Sequence, residues 1–272
     1  MRRLPLLRTG VAFGVAVLFA MPIVWMVSTS FTPPGDYVGT TLVLWPEHLT
    51  FDHYRALWEK SVWRNGFNSA IVAAGTTVVA LALGLPAAYA LTRMRMPARL
   101  DIGFLIFVLL VKLAPPIVLA IPLYHVLRAF GLLDTLAGLV LVYQVYALPF
   151  AIWMLLGFVR DVPYAIEEAA MIDGARLFKR LRTIVLPLMV PGLVSTAVFV
   201  AIMSWNEFLY ALLFVQTPAL FTLPPYVATL ITEDETLWGQ LAAIGFLASL
   251  PVLIVLGVVQ RGLTRGFASG TH

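Results

Sequence analysis

Few side chains in this 272-residue chain are of a type that does chemistry, and their placement narrows what that chemistry is. There is no cysteine, which excludes disulfides and thiolate metal sites, and the four histidines, His48, His53, His125 and His272, share no ligand spacing. No GxxxxGK loop is present to wrap phosphates, and no cluster of His, Asp or Glu gathers near one end of an apolar segment as a membrane enzyme would need. What remains is a set of polar residues inside apolar runs: Lys112 and Glu207, each the lone charge of its run, with Tyr143, Gln144, Tyr146, Trp205 and Asn206 in similar surroundings. Burying such groups in lipid is costly, so they face a cavity or a partner. Rings and amide edges of this kind suit a hydroxyl-rich solute, and they suit helix packing and interfacial positions as well, so a solute path and a packing role both stand.

The elements that must carry these residues follow from the distribution of charge. The chain is 61% hydrophobic and only 12% charged, with a positive mean hydropathy, far from the averages of soluble globular chains. Uncharged stretches lie between Arg8 and Asp36, Arg64 and Arg93, Asp134 and Arg160, and Glu235 and Arg261. Each exceeds the roughly 20 helical residues that cross a bilayer. Two further runs qualify if one charge is allowed in each, which places six helical spans at 10–30, 68–92, 103–126, 135–159, 184–213 and 239–260. A transmembrane barrel would alternate over strands of about ten residues, whereas these are continuous runs of Leu, Val, Ala, Ile and Phe. The expected fold is therefore all-α and integral to the membrane. The first run resembles a signal peptide in its basic start, but it is long and has no clear small-residue cleavage site, so it is read as a retained helix.

Orientation follows from Lys and Arg in the flanking loops. With the N-terminus cytoplasmic, that side holds Arg2, Arg3, Arg8, Arg93, Arg95, Arg99, Arg160, Arg176, Lys179, Arg180, Arg182, Arg261 and Arg265, thirteen of eighteen. The other side holds Arg55, Lys60, Arg64 and Arg128, and most of the acidic residues. Both termini are expected in the cytoplasm, and the net charge of +4 follows from this topology, with no implication of nucleic-acid binding. The outer segment 31–67 includes LTFDHYRALWEK, read as a short amphipathic helix at the membrane surface, capped by Thr50 or Asp52, with Tyr54, Leu57 and Trp58 on one side.

The segment 160–183 between the fourth and fifth spans is too long for a simple connector. Pro163 suits a first helical turn, Ala165, Ala169 and Ile172 recur at helical spacing, and Gly174 supplies the positive backbone angle that ends a helix. A second short basic helix follows. Two helices bent at a glycine, charged on one side and small or apolar on the other, make a knob for a groove on another protein or a helix that lies on lipid.

Within that segment Glu168-Ala169-Ala170, three residues, Gly174, nine residues, and Ile184-Val185-Leu186-Pro187 resemble the EAA signature of ABC-importer permeases. Dispersed elements are similar to the carbohydrate branch of that family, and to the smaller permease of maltose-type importers. They are Asn68-Ser69, Ala88-Tyr89-Ala90, Pro115-Pro116, Ile121-Pro122-Leu123-Tyr124, Gly131-Leu132-Leu133-Asp134-Thr135, Trp205-Asn206-Glu207-Phe208 and Gln260-Arg261-Gly262-Leu263, and together they cover most of the chain. The tail 261–272 is shorter than the tails associated with the family.

The resemblance implies the type I importer permease fold and a mechanism. The EAA helices dock in a cleft of an ATP-binding subunit and move with it as ATP closes the ATPase dimer. Glu168 meets a basic residue there, Gly174 sets the bend, and Ala169 and Ala170 permit close approach. Ile172, Asp173 and Arg176 belong to the same coupling element. The chain binds no cofactor of its own, since ATP and Mg act on the partner ATPase. A second, larger permease completes the pathway, and an extracytoplasmic solute-binding protein meets the loops at 31–67, 128–134 and 216–238. The implied location is a bacterial or archaeal cytoplasmic membrane, in contact with lipid. An ABC permease for a non-sugar solute is the nearest alternative. An ion-coupled carrier is further off, since it would show inverted repeats, broken helices and paired midplane charges.

Overall fold

The computed structural model describes residues 3–34, 45–94, 100–231 and 237–268. The side chains of 3–7, 100, 101, 112 and 258–268 lie outside that description, as do the whole of 1–2, 35–44, 95–99, 232–236 and 269–272. The regular elements among the described residues are helices: α1 (Arg3–Ser30), α2 (Asp52–Glu59), α3 (Val62–Arg93), α4 (Leu100–Leu113), α5 (Pro116–Ala129), α6 (Leu136–Asp161), α7 (Tyr164–Ile172), α8 (Leu177–Arg180), α9 (Leu186–Leu188), α10 (Val190–Trp205), α11 (Leu209–Phe214), α12 (Leu223–Ala228) and α13 (Trp238–Ala268). Four of them, within α1, α3, α6 and α13, are long and apolar enough to cross a membrane, and the number rises to six if two bent pairs each count as one span.

The bent pairs fall at the spans expected at 103–126 and 184–213, whose prolines are able to kink a helix. The first breaks between α4 and α5 at Pro115-Pro116, where a proline pair removes two backbone donors and Pro116 becomes the first residue of α5. The second turns by 75° at Met189, ahead of Pro191. A π-helical turn at Leu181–Val185 leads into that bend. The run then breaks again after Trp205, so that α11 is a separate short helix.

Two compact units divide the chain, Met1–Arg64 with Tyr226–Leu253, and Asn65–Pro225 with Ile254–His272. In the first, the most apolar stretch of α1 is unburied, as a lipid-facing helix is. Its C-terminal end is held by aromatic contacts: Phe31 lies 5.4 Å from Phe51 and 5.2 Å from Tyr54, ring centre to ring centre. Ser30 shares a 2.8 Å hydrogen bond with the Tyr54 hydroxyl, and burial raises the pKa of that phenol. The N-cap position of α2 is Phe51 rather than the expected Thr50 or Asp52, although the Thr50 hydroxyl does accept from the Asp52 N–H at 3.1 Å. His53 and Leu57 are the buried residues of α2, Tyr54 is half-buried and Trp58 is exposed. His53 bonds the Thr32 carbonyl at 2.8 Å and occupies the space that a side chain at Gly239 would need.

The second unit is built on α3, α6 and α10. Small residues let these helices approach closely. A Cβ at Gly75 would sit 2.9 Å from Val140, and one at Gly84 would sit 3.4 Å from Ala151. At Gly192 it would collide with the Phe158 ring and Cβ. The core therefore lies along α6, where Leu139, Val142, Tyr143, Ala147, Ala151, Leu155 and Val159 are buried.

Candidate functional site

α7 begins after Pro163, whose missing N–H is no loss at that position. It ends in a Schellman turn: Gly174, at φ +75, donates to the Met171 carbonyl at 3.0 Å, and Ala175 donates to that of Ala170 at 2.9 Å. The bend expected at Gly174 is therefore present, and a side chain there would have to adopt the left-handed conformation. Glu168, Ala169, Ile172, Asp173 and Arg176 are exposed around this elbow and Ala170 is half-buried. Apolar side chains share the exposure, with Ile172 at 87% and Phe178 at 74%. An exposed patch of large apolar residues beside small ones is the composition of a docking surface.

The neighbouring Glu167 points the other way. Its side chain is 1% exposed and forms a 2.9 Å ion pair with Arg93, the last residue of α3. It also accepts from the Tyr89 hydroxyl at 2.6 Å. Arg93 donates further to the Val159 carbonyl at 2.9 Å and to that of Val162, and the Tyr164 ring stacks against its guanidinium at 5.3 Å. Sequence reasoning places Arg93 only as a topology charge and does not separate Glu167 from Glu168. The signal it held was helical spacing: Tyr89 and Arg93 stand four apart on one face of α3.

The residues expected along a solute path are dispersed in their surroundings. Tyr143 is fully buried, its ring 5.5 Å from that of Tyr146; Tyr143 lies near Glu207, and Tyr146 near both Glu207 and Ser204. Gln144 donates across to the Thr76 carbonyl of α3 at 3.3 Å. Glu207 is half-buried and its carboxylate serves α11, accepting from the N–H of Tyr210 at 2.9 Å and of Ala211 at 3.1 Å. It thus supplies the acceptor that the orphan donors of a helix start require. Asn206 is exposed and donates back to the Ile202 carbonyl at 2.8 Å, while Trp205 is half-buried. The Lys112 side chain lies outside the described residues.

Nearby, α4, α6 and α10 enclose a cleft of about 700 Å³ whose walls include Phe150, Trp153, Phe199, Met203 and, at one end, Arg160. Among the described residues no group of three His, Asp or Glu gathers as metal ligands.

The loops at the opposite end of α6 are tied together. Asp134, at φ +56, accepts from the N–H groups of Gln216 and Thr217 at 2.9 and 3.0 Å and from the Thr217 hydroxyl at 2.6 Å. These bonds, the Thr217 hydroxyl foremost, lower its pKa. Asn65 and Asn68 each donate to the Phe221 carbonyl at 3.0 Å, and Ser69 accepts from Leu223 N–H at 2.8 Å.

Comparison with known proteins decides the kinship of this arrangement. Residues 80–269 match the family described as the binding-protein-dependent transport system inner membrane component. The chain belongs to this family. The trehalose transport system permease protein SugB of Mycobacterium tuberculosis is 36% identical over 254 residues, 92% of this chain and 91% of that one. The diacetylchitobiose uptake system permease protein DasC of Streptomyces coelicolor is 35% identical, covering 96% and 94%. The trehalose/maltose transport system permease protein MalG of Thermococcus litoralis is 32% identical, covering 95% and 93%. A chain in the crystal structure of a bacterial ABC transporter that imports the acidic polysaccharide alginate superposes with a TM-score of 0.78, over 95% of this chain and 96% of that one, at 24% identity. The fold is that of type I ABC-importer permeases. This member of the family is a multi-pass cytoplasmic-membrane subunit and not an enzyme; its relatives are named as permeases. Binding a cofactor is not a property of the family.

Proposed function

We propose that this chain forms half of the translocation pathway of an importer for a di- or oligosaccharide or a related polyhydroxylated solute. The observation that carries the reading is kinship along nearly the whole chain with permeases named for trehalose, diacetylchitobiose and maltose. The energy comes from a separate ATP-binding subunit dimer, where ATP and Mg act. The exposed elbow of Glu168, Ala169, Ala170, Ile172, Asp173, Gly174 and Arg176 is its docking element, and both chain termini lie on that cytoplasmic side. Small side chains at 169 and 170 let two surfaces close, and the exposed Ile172 and Phe178 supply the apolar contact that charge alone would not. A second, larger permease completes the pathway. An extracytoplasmic solute-binding protein meets the loop region held by Asp134, with the segment 31–67 and the loop 216–238. In the solved alginate transporter such a complex is formed with an alginate-bound periplasmic protein.

For the solute path the candidates are Trp205 and Asn206 at the end of α10, with Gln144 and Tyr146 of α6, whose Oε1 and hydroxyl are buried, behind them. Lys112 is the remaining candidate on that path. Tyr143 and Glu207 shape that wall through packing and capping.

The test is affinity purification of the tagged chain from native membranes in mild detergent, with mass identification of its partners. Reconstituted vesicles are then assayed for ATP-driven uptake of labelled trehalose, maltose and diacetylchitobiose. Recovery of an ATPase and a second permease with uptake of one of these sugars supports the proposal. A chain recovered alone, in detergent shown to preserve related complexes, refutes it.

A further inference from the structure

The Glu167 ion pair is not used by the docking surface, and its geometry raises the question of what it does. Three pieces of chain converge on one guanidinium: α3, which contributes Arg93; α7, which contributes Glu167; and the final turn and cap of α6, which contribute the Val159 and Val162 carbonyls. Tyr89, one turn before Arg93, closes the set through its 2.6 Å bond to the second carboxylate oxygen. Arg180 of α8 approaches the same tyrosine.

A buried ion pair of this kind is a poor way to gain stability, because apolar side chains of similar volume often do as well or better. What it supplies is direction. Arg has five fixed donors, and here they set the register of three helix ends at once. Along the chain, α7 is joined to its neighbours by Val162 and Pro163 on one side and by the Gly174 bend on the other.

We propose that Arg93, Glu167 and Tyr89 form a latch that makes α7 one rigid body with the adjoining ends of α3 and α6, so that displacement of the docking elbow is delivered to those two helices. Arg93 and Glu167 are positioning residues in this scheme. They touch neither solute nor nucleotide, and they act through the helix ends they hold. The inference rests on the reading of α7 as the element that an ATPase engages. It adds the route by which motion leaves that element. A helix held only by a flexible joint would rotate about the joint under load, and the membrane helices would stay where they were.

The chain has no cysteine, so a single introduced one reports cleanly on it. Leu141, half exposed near the far end of α6, is the reporter position, as Leu141→Cys. The assembled importer carrying this reporter is purified through the tag and placed in lipid nanodiscs. Maleimide labelling of the permease is then followed with and without Mg·ATP. The parent complex must hold the ATPase before any variant is read, so a failure of the permease reading shows itself separately. With Glu167→Gln, which keeps shape and removes charge, the ATPase is expected to co-purify in the same ratio, because Glu168 and the exposed face are untouched. The ATP-induced change in labelling rate should fall roughly 5-fold or more, the lower end of ordinary coupling between sites. Arg93→Lys keeps the charge but cannot reach one carboxylate and two carbonyls together, and it should give an intermediate response. A full ATP response in Glu167→Gln overturns the latch. Loss of the ATPase from Glu167→Gln with an unchanged melting profile also overturns it, by placing Glu167 on the docking surface instead.

Discussion

Replacing Asp134 tests the tie between the loops at one end of the bundle. Asp134 accepts three hydrogen bonds from Gln216 and Thr217, and it holds a left-handed backbone angle of +56. Because the site is open to solvent, each bond is taken at about 0.5 kcal/mol, the low end of the usual range. Alanine in the left-handed region costs about 1 kcal/mol more, since only Gly, Asn and Asp adopt it readily. Asp134→Ala should therefore destabilise by about 2.5 kcal/mol, a fall in melting temperature of roughly 5–10 °C for a chain of this size. Asp134→Asn keeps the backbone tolerance and one acceptor oxygen, and should cost no more than about 1 kcal/mol. The pH dependence has a definite sign. The folded pKa lies below the ordinary 3.8, so the contribution is fully present above that value and is lost as pH falls through the lower, folded value. The parent's advantage over Asp134→Asn should hold constant from pH 8 to 5 and shrink only below about pH 4. Tryptophan fluorescence melts of the purified protein measure this, and proteolysis of the loop at 216–222 reports local opening. An Asp134→Ala protein that melts within 1 °C of the parent, with the loop equally resistant, would refute the reasoning.

Three further outcomes follow from the same geometry. Glu168→Ala should weaken association with the ATPase about tenfold, as loss of one charge-assisted contact does, while membrane insertion is unchanged; pull-down ratios at increasing salt measure it, and full association with normal uptake refutes the coupling role. Gly192→Ala drives a methyl into the Phe158 ring and Cβ where α10 crosses α6, so the helices themselves must shift; a loss of about 1–3 kcal/mol is expected, read by chemical denaturation, and a neutral result would show that the crossing is loose. Glu207→Gln leaves one oxygen to accept from α11 and should cost about 1 kcal/mol; reduced sugar uptake with an unchanged melt would instead place the carboxylate on the solute path.

The bend after α7 was the most legible part of the candidate site. Pro163 and Gly174 are local signals, one tolerated only near a helix start and the other free to take φ +75, and the structure places helix start and bend at those two residues. The breaks at Pro115 and Met189 were less legible, because a proline within an apolar run is compatible with a kinked span or with two separate helices, and neighbouring helices decide which. For Trp58 the amphipathic pattern gave the helix but not the degree of exposure, since an interfacial aromatic and a buried one are written with the same residue.

Charge spacing and apolar run length are one-dimensional properties, and lipid enforces them segment by segment, so the membrane class and the all-α fold could be read without coordinates. Helical periodicity and the placement of Pro163 and Gly174, also local, located the start of α7 and the bend after it. Pairing between distant segments is different. Glu167 and Glu168 are adjacent and chemically identical, and nothing local says that one turns inward to Arg93, 74 positions away, while the other faces out. Glu207 was legible as an unusual charge in an apolar run, yet its use as the cap of α11 depended on where the helix broke. Those assignments arise only when α3, α6 and α7 pack, because burial selects among identical side chains by the partners that packing brings within reach.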